Sequence, residues 1–183
     1  MKTQRRKVAV ILGDYRLPDP AKPGGKFDED DFDTVERLEK ALKQLKDYEF
    51  IYFNDHKNLA EDLLLQSSDI DLAFNLCDEG FMNDPAKESY IPVLLETLKI
   101  PYTGAGLQCM MKCYNKEITR NVAQSLGVSV PQGFVIHKNS GIIFPENFPV
   151  IVKPSFGDGS FGITQKSVVQ DEAEFASSVL ELR

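Results

Sequence analysis

Three glycines and a preceding lysine have the most informative spacing in this sequence. Gly157, Gly159 and Gly162 follow the pattern G-x-G-x-x-G, and Lys153 stands four residues before the first of them. Glycine lets a backbone approach phosphate oxygens with its N–H groups, and a lysine adds a positive point charge. Ser160 adds a hydroxyl donor. Two interpretations remain open here, a phosphate-binding loop or a flexible hairpin with a surface lysine.

The segments on either side of the loop indicate which phosphate ligand it suits. A dinucleotide fingerprint needs a strand before the loop and a helix that opens directly on it. Here residues 149–152 read as a strand, and residues 163–169 also read as a strand. The sequence therefore argues against a nicotinamide-dependent oxidoreductase. It favours a glycine loop that folds over a nucleoside triphosphate between two antiparallel strands.

The part of the chain before this loop alternates between strand-like and helix-like segments. Apolar runs at residues 7–12, 50–53 and 71–76 read as buried strands. Helix-period patterns fall between them, and the first extends from a capping-box-like start at Asp33 to about residue 46. This order predicts an α/β fold with a Rossmann-like parallel sheet.

The second part of the chain has a different pattern. Asn115 is placed to cap a helix that Gly127 would end, and Asp171 is placed to open the last helix. Between these helices lie three short strand-like runs, at residues 133–136, 149–152 and 162–165. We place the boundary between the two parts near residues 106–114.

The composition excludes several classes of protein. The 21 basic and 28 acidic side chains give a net charge of −7, and all of it belongs to residues 1–111, which hold 14 basic and 21 acidic residues. Nucleic-acid binding depends on an excess of Lys and Arg, and a membrane helix needs roughly 20 apolar residues. We therefore expect neither a nucleic acid nor a membrane as partner. The basic start precedes too short an apolar stretch for an export signal, and the cysteine number is odd, so we expect a cytoplasmic location.

Isolated cysteines and histidines give weaker signals. Cys109 and Cys113 stand at i and i+4 without further ligands nearby, so we expect buried small side chains rather than a metal site. His56 and His137 have no neighbouring nucleophile, and we expect both at the surface or at strand ends.

Several segments occur in the order, and at the spacings, of a known family. They are Ile100-Pro-Tyr-Thr-Gly-Ala-Gly106, Asn115-Lys116, Leu126-Gly-Val-Ser-Val-Pro131 and Pro149-Val-Ile-Val-Lys-Pro154. Together they resemble the motifs of ATP-grasp carboxylate–amine ligases, and most closely those of the D-alanine–D-alanine ligases, from about Asp71 onward. The resemblance implies a Rossmann-like pre-ATP-grasp domain at residues 1–111, followed by the first half of an ATP-grasp domain at residues 112–183.

The resemblance also implies a reaction and a cofactor. This family uses ATP and magnesium to convert a carboxylate into an acylphosphate, which an amine attacks to form an amide. Lys116 matches the lysine that reaches the nucleotide phosphates, although Asn115 replaces the usual aspartate before it, and Lys153 matches the phosphate-contacting lysine on the strand. A solvated Lys116 is the alternative. The segment that matches the loop closing over the phosphates contains Gly157, Gly159, Ser160, Phe161 and Gly162.

The substrate side departs from the family. Residues 12–18 lack the glutamate that holds the first D-alanine, and residues 74–81 and 87–90 replace the family's His-Gly and Gly-Glu-Asp-Gly segments. We expect an amino acid or dipeptide substrate. Ligands of α/β sheets bind at the carboxyl ends of strands. The substrate-binding candidates beyond the strand at residues 71–76 are Glu79, Glu88 and Ser89, with a solvated loop and helix cap as the alternative.

The resemblance places part of the machinery elsewhere. In this family the magnesium ligands and the strand that contacts adenine follow the last helix seen here. We therefore expect metal ligands outside these residues and a chain that is part of a longer ligase. A non-catalytic module that binds a nucleotide or a partner is the alternative function. The sequence leaves open whether the protein forms a homodimer.

Overall fold

The computed structural model describes residues 5–157, 160 and 162–183. The chain divides into two compact units, Met1–Met110 and Met111–Arg183. This division falls inside the boundary region expected from the sequence, while the assignment of residues 1–111 and 112–183 to two named domains stays a prediction. None of the helices in the described ranges is long and apolar enough to cross a membrane.

The first unit is built on a parallel sheet of three strands, β1 (Arg6–Ile11), β2 (Tyr48–Phe53) and β3 (Leu72–Asn75). Their order is β2-β1-β3, and a single parallel bridge joins Ala73 to Tyr102 beyond β3. Because β1 lies between two strands, its residues from Ala9 to Ile11 have no exposed surface. All three strands end at the same edge of the sheet, so the loops that follow them lie together.

Three helices connect and flank these strands, α1 (Glu29–Leu42), α2 (Leu59–Gln66) and α3 (Tyr90–Thr97). Helices α2 and α3 pack on the sheet through buried side chains, which are Leu59, Leu63, Ile91 and Leu95. Helix α1 buries only Leu42. It begins after Asp28, whose carboxylate accepts from the N–H groups of Asp30 and Asp31 in a capping box, so the predicted start at Asp33 is wrong.

The second unit contains α5 (Lys116–Ser125), α6 (Glu172–Glu181) and a short antiparallel pair, β4 (Val150–Ile151) with β5 (Val168–Val169). Helix α4 (Leu107–Tyr114) crosses the boundary between the units. The core of the second unit consists of Val169 from β5 and of Phe175 and Val179 from α6.

Two of the expected strands do not form in this unit. Residues 133–136 are not strand, and residues 162–164 lead without a strand into a 3-10 turn at Gln165–Ser167. A strand needs a neighbour that completes its hydrogen-bond ladder, and the observed ladder pairs only two residues on each side. The expectation that Cys109 and Cys113 are buried is also wrong, because both are exposed while Met110 is the buried residue of α4.

Candidate functional site

The phosphate-binding candidates lie in the second unit, where two distant segments run side by side. The Gly157 N–H donates to the Tyr114 carbonyl at 3.1 Å, and the Lys116 N–H donates to the Ser155 carbonyl at 3.0 Å. Between these bonds, Asn115 and Phe156 form an antiparallel bridge. The start of α5 is therefore fastened to the incoming end of the glycine loop.

Lys116 reaches the glycine loop with its side chain as well. Its ammonium donates to the Gly157 carbonyl at 2.9 Å, and the lysine is half-buried. An ammonium has three N–H donors, so this bond holds the charge in place without using its whole donor capacity. The structure thus brings together Lys116 and the first glycine of the loop, which are 41 residues apart in the sequence.

Asn115 caps helix α5 in the way the sequence predicts. Its side-chain oxygen accepts from the N–H groups of Glu117 at 3.1 Å and Ile118 at 3.0 Å. These bonds satisfy two amide donors that the first turn of a helix leaves without an intrahelical partner. The cap fixes Lys116 as the first residue of the helix, directly beside the loop.

The described residues of the glycine loop have backbone angles that favour glycine. Gly157 has a φ of 123°, Ser160 of 69° and Gly162 of 73°. Positive φ values turn the chain sharply, and glycine adopts them without the steric penalty that a side chain brings. Gly159 and Phe161 lie outside the described residues, so these two predictions are not addressed. Ser160 itself is exposed.

Lys153 stands apart from the Lys116 contact. It is exposed and follows β4 by two residues, and the described residues show no bond between it and Lys116 or Gly157. Its predicted contact with phosphate stays a prediction.

The substrate-side candidates lie in the first unit, at the edge where the three strands end. Glu79 follows β3, and its side chain is 13% exposed. Its carboxylate lies against the Gly13 backbone, which follows β1: a Cβ at position 13 would lie 2.5 Å from Oε2 of Glu79. A side chain at position 13 would have to displace this carboxylate. The ends of β1 and β3 therefore enclose Glu79.

The electrostatic setting of Glu79 is unusual for a carboxylate. Burial raises its pKa to about 7, and the neighbouring Asp78 carboxylate acts in the same direction. The ammonium of Lys22 lies 3.8 Å from Oε1 and partly opposes this shift. Oε2 is buried and has no hydrogen-bond partner in the part of the chain that is described. Glu79 is consequently a group that holds or releases a proton near neutral pH.

Lys22 is held on one side of Glu79 by two other contacts. Its ammonium lies 2.8 Å from the Asp31 carboxylate and 4.8 Å from the centre of the Phe27 ring. Burial alone would lower the pKa of Lys22, but the hydrogen bond to Asp31 and the negative charges of Asp31, Glu79 and Asp19 together outweigh it, so the pKa is raised and the lysine stays charged.

Glu88 approaches the same segment at a tight turn at Gly80. Gly80 has a φ of 83°, and a Cβ there would lie 2.2 Å from the Asp84 carbonyl oxygen and 3.0 Å from the Glu88 nitrogen. Ser89 precedes α3, but its side chain makes no capping hydrogen bond. The structure therefore brings the segment of Glu79 and Gly80 against that of Glu88, and it leaves Ser89 without the capping role that was the alternative.

Sequence reasoning missed three buried polar residues at this edge: Asp14, His56 and Asn83, each 1% exposed. The Asp14 N–H donates to Oδ1 of Asn83 at 3.0 Å, and Nδ2 of Asn83 donates to the Asp14 carbonyl at 2.7 Å. The His56 N–H donates to Oδ2 of Asp14 at 3.1 Å. His56 is thus at a strand end but not at the surface. The position of Asp14 and His56 just beyond two predicted strands was the available signal.

Arg16 completes the bonding of Asp14. Its Nε donates to Oδ1 of Asp14 at 2.7 Å, and its Nη2 donates to the Asn54 carbonyl at 2.7 Å. Burial alone would raise the pKa of Asp14, but the bonds from Arg16 and from the His56 N–H together lower it. Asp14 is therefore a charged anchor for the loop after β1.

Magnesium does not fit the described residues. They contain no group of three or more His, Cys, Asp or Glu side chains arranged to hold a metal ion. Mg²⁺ is bound through carboxylates with near-octahedral geometry. No chemical step is therefore assigned to a metal in this part of the chain.

The curated proteins that match this chain in sequence include several D-alanine–D-alanine ligases. No family model matches the chain. The D-alanine–D-alanine ligase B of Pseudomonas putida is 36% identical over an alignment of 135 residues, and the match covers 67% of this chain and 41% of that protein. The chain therefore spans about two fifths of the length of such curated relatives.

Solved structures agree with the sequence match. The D-alanine–D-alanine ligase from Bacillus anthracis, complexed with ATP, has a TM-score of 0.66 at 21% identity, with 97% of this chain and 54% of that chain covered. The D-Ala:D-Ser ligase from Enterococcus faecalis has a TM-score of 0.63 at 16% identity, with 98% and 59% covered. The chain resembles these ligases in sequence and in fold, which confirms the predicted α/β class, a Rossmann-like part followed by the first half of an ATP-grasp fold.

Proposed function

We propose that this chain is part of an ATP-dependent carboxylate–amine ligase of the D-alanine–D-alanine ligase type. Its likeness to these ligases supports the proposal, and the observation that carries it is the contact between Lys116 and Gly157. That contact holds a positive charge beside a glycine loop, as phosphate binding requires. Because the chain spans about two fifths of its curated relatives, the activity is proposed for a whole protein that contains it.

The proposed reaction has two steps. A carboxylate oxygen of the first substrate attacks the terminal phosphorus of ATP, and the bond to ADP breaks, which gives an acylphosphate. The amine nitrogen of the second substrate then attacks the acyl carbon, an amide bond forms, phosphate leaves with the bonding electrons, and the nitrogen loses a proton. Such transfers depend mainly on positioning and on charge neutralisation around the phosphoryl group.

Residues of the second unit would serve the nucleotide in this reaction. The Lys116 ammonium would neutralise phosphate charge, and Lys153 would add a second positive charge from the strand side. Backbone N–H groups of the glycine loop would bind phosphate oxygens, with Gly157, Gly159, Ser160, Phe161 and Gly162 as the proposed contacts. Magnesium is proposed with ligands supplied outside the described residues.

Residues of the first unit would serve the substrates. Glu79, Glu88 and Ser89 offer carboxylate and hydroxyl oxygens, which suit the ammonium or amine group of an amino acid or dipeptide. Structural relatives include a D-alanine–D-alanine ligase and a D-Ala:D-Ser ligase, so the proposal leaves the second amino acid open. We propose a pre-ATP-grasp domain at residues 1–111, an ATP-grasp subdomain at residues 112–183, a cytoplasmic location, and a homodimer as the assembly to test first.

Phosphate release from ATP in the presence of an amine tests the function. The whole protein is incubated with ATP, magnesium and a panel of D-amino acids, L-amino acids and dipeptides, and the ligated product is identified by mass spectrometry. We expect ATP turnover only when an amino acid or dipeptide is added, with one amide formed for each phosphate released. Absence of turnover across the panel, with nucleotide binding retained, would favour the non-catalytic module.

A further inference from the structure

His56 connects two of the three loops at the strand ends, and both ring nitrogens take part. The Met82 N–H donates to Nδ1 at 2.8 Å, while Nε2 lies 2.9 Å from the Leu12 carbonyl oxygen. A backbone N–H only donates and a carbonyl only accepts, so the ring carries its proton on Nε2. The ring also stacks on Phe81, with centroids 5.8 Å apart and planes 10° from parallel.

The two partners of His56 bracket Glu79. Leu12 precedes Gly13, whose backbone lies against the Glu79 carboxylate, and Met82 follows Glu79 by three residues. A bridge from Leu12 to Met82 through one imidazole ring therefore fixes the distance between the loop after β1 and the loop after β3. Glu79 occupies the space between these loops.

The loop after β3 has a backbone conformation that must be held by contacts such as the His56 bridge. Met82 and Asn83 have φ values of 61° and 53°, a region that side-chain-bearing residues rarely adopt. Backbone of this kind persists only where surrounding contacts determine it. Here the contacts are the bond from Met82 to the His56 ring and the paired bonds between Asn83 and Asp14.

We propose that His56 is a positioning residue, which holds the loops after β1 and β3 at the spacing that keeps the Glu79 carboxyl enclosed at the substrate-side edge. It is not a catalytic residue, because it is 1% exposed and both ring nitrogens are bonded within the chain. His56 matters for a reaction only if Glu79 has the substrate role proposed above. The effect of His56 on the enclosure of Glu79 does not depend on that substrate role.

The pKa of Glu79 reports directly whether the loops after β1 and β3 enclose its carboxyl group. Burial is the largest cause that holds the pKa of Glu79 near 7. Asp78, in the loop after β3, also raises it, and Lys22, in the loop after β1, lowers it. If the loops separate, water reaches the carboxyl and the pKa falls toward its ordinary value. A loss of global stability alone would not move this value in molecules that remain folded.

The experiment compares His56→Phe with His56→Gln in the full chain. Phenylalanine keeps a ring for Phe81 but removes both hydrogen bonds, whereas the glutamine amide offers one acceptor and one donor group for the same partners. The Glu79 carboxyl carbon is titrated by carbon-13 NMR and assigned by its disappearance in Glu79→Gln. We expect a fall of about one pH unit or more in His56→Phe and a smaller change in His56→Gln.

Ile91→Val is the matched control, because Ile91 is a fully buried core residue with no part in the bridge. It should lower stability and leave the Glu79 titration unchanged. If His56→Phe does not fold, His56→Asn replaces it, since its shorter amide cannot reach both partners. A folded His56→Phe or His56→Asn with an unchanged Glu79 titration would overturn the inference. A ligase assay in which Glu79→Gln stays fully active would instead reject the proposed substrate role of Glu79.

Discussion

The Lys116 ammonium and the Gly157 carbonyl form a hydrogen bond of 2.9 Å that joins the start of α5 to the first glycine of the loop. The backbone bonds on either side of it hold the same two segments antiparallel over three residues, Tyr114 with Gly157 and Lys116 with Ser155. The lysine is therefore placed before any phosphate arrives, and binding does not have to order it.

Lys116→Met should weaken nucleotide binding by about 10- to 100-fold, because hydrogen bonds of a charged group contribute roughly 1.5–3 kcal/mol. Isothermal titration of the whole protein with ATP measures the change. Lys138→Met removes an exposed lysine of the same unit and should leave the affinity unchanged. Equal affinities for wild type and Lys116→Met would contradict the phosphate role.

Gly13→Ala should destabilise the first unit by about 1–3 kcal/mol, because the new methyl group would collide with the Glu79 carboxylate. Urea denaturation measures the loss. In the double variant Gly13→Ala/Glu79→Ala the collision is gone, so the two effects should not add. Gly141→Ala is the control, since nothing lies within 4 Å of the added carbon. Additive losses in the double variant would show that the contact is unimportant.

Glu79→Gln should change the pH dependence of stability. The folded-state pKa of about 7 lies above the ordinary value of 4.5, so the folded chain binds more protons between these values. Stability of the wild type should therefore fall as pH rises from about 4.5 to 7 and stay low above that. Glu79→Gln should remove this decline in stability, because a glutamine side chain does not titrate.

The measurement compares urea denaturation of wild type and Glu79→Gln at pH 5 and pH 8. The free energy of unfolding of the variant minus that of the wild type should be larger at pH 8 than at pH 5, by on the order of 1–3 kcal/mol. Parallel pH profiles of the two proteins would mean that Glu79 titrates normally.

Asn115→Ala should destabilise the second unit by about 0.5–2 kcal/mol, because it removes the cap on the Glu117 and Ile118 amides. Thermal denaturation by circular dichroism measures it. Asn115→Asp should retain the cap and place a negative charge at the helix N-terminus, which is favourable. Equal losses in both variants would assign the effect to something other than capping.

The sequence predicted the elements that repeat a simple pattern. The positions of the three parallel strands and the cap at Asn115 are found as expected, since an apolar run and a helix cap each depend on residues near one another in the chain. The start of α1 differs from the prediction, because the capping box forms between Asp28 and Asp31 and the helix begins before Asp33. The resemblance to the ligases predicts that Lys116 and the glycine loop serve one ligand; the structure brings Lys116 and Gly157 together, and the shared ligand stays a prediction.

The Asp14, His56 and Asn83 network was beyond the reach of the sequence. Its bonds join positions 42 and 69 residues apart, and a lone histidine has no local pattern that distinguishes a buried bridge from a surface residue. The same reason explains the strand expected at residues 133–136. Strand-forming side chains do not specify a strand unless the fold supplies a neighbouring ladder.

Helix α1 buries one side chain in fourteen residues, so its own capping box and ion pairs along its surface, such as Glu36 with Lys40, hold it more than the core does. Elements with few buried contacts open first in native-state hydrogen exchange. Its first turn also contains Asp31, the partner of Lys22. We expect the amides of α1 to exchange earlier than those of β1, and salt to speed this opening, so that ionic strength regulates how often the surroundings of Glu79 meet water.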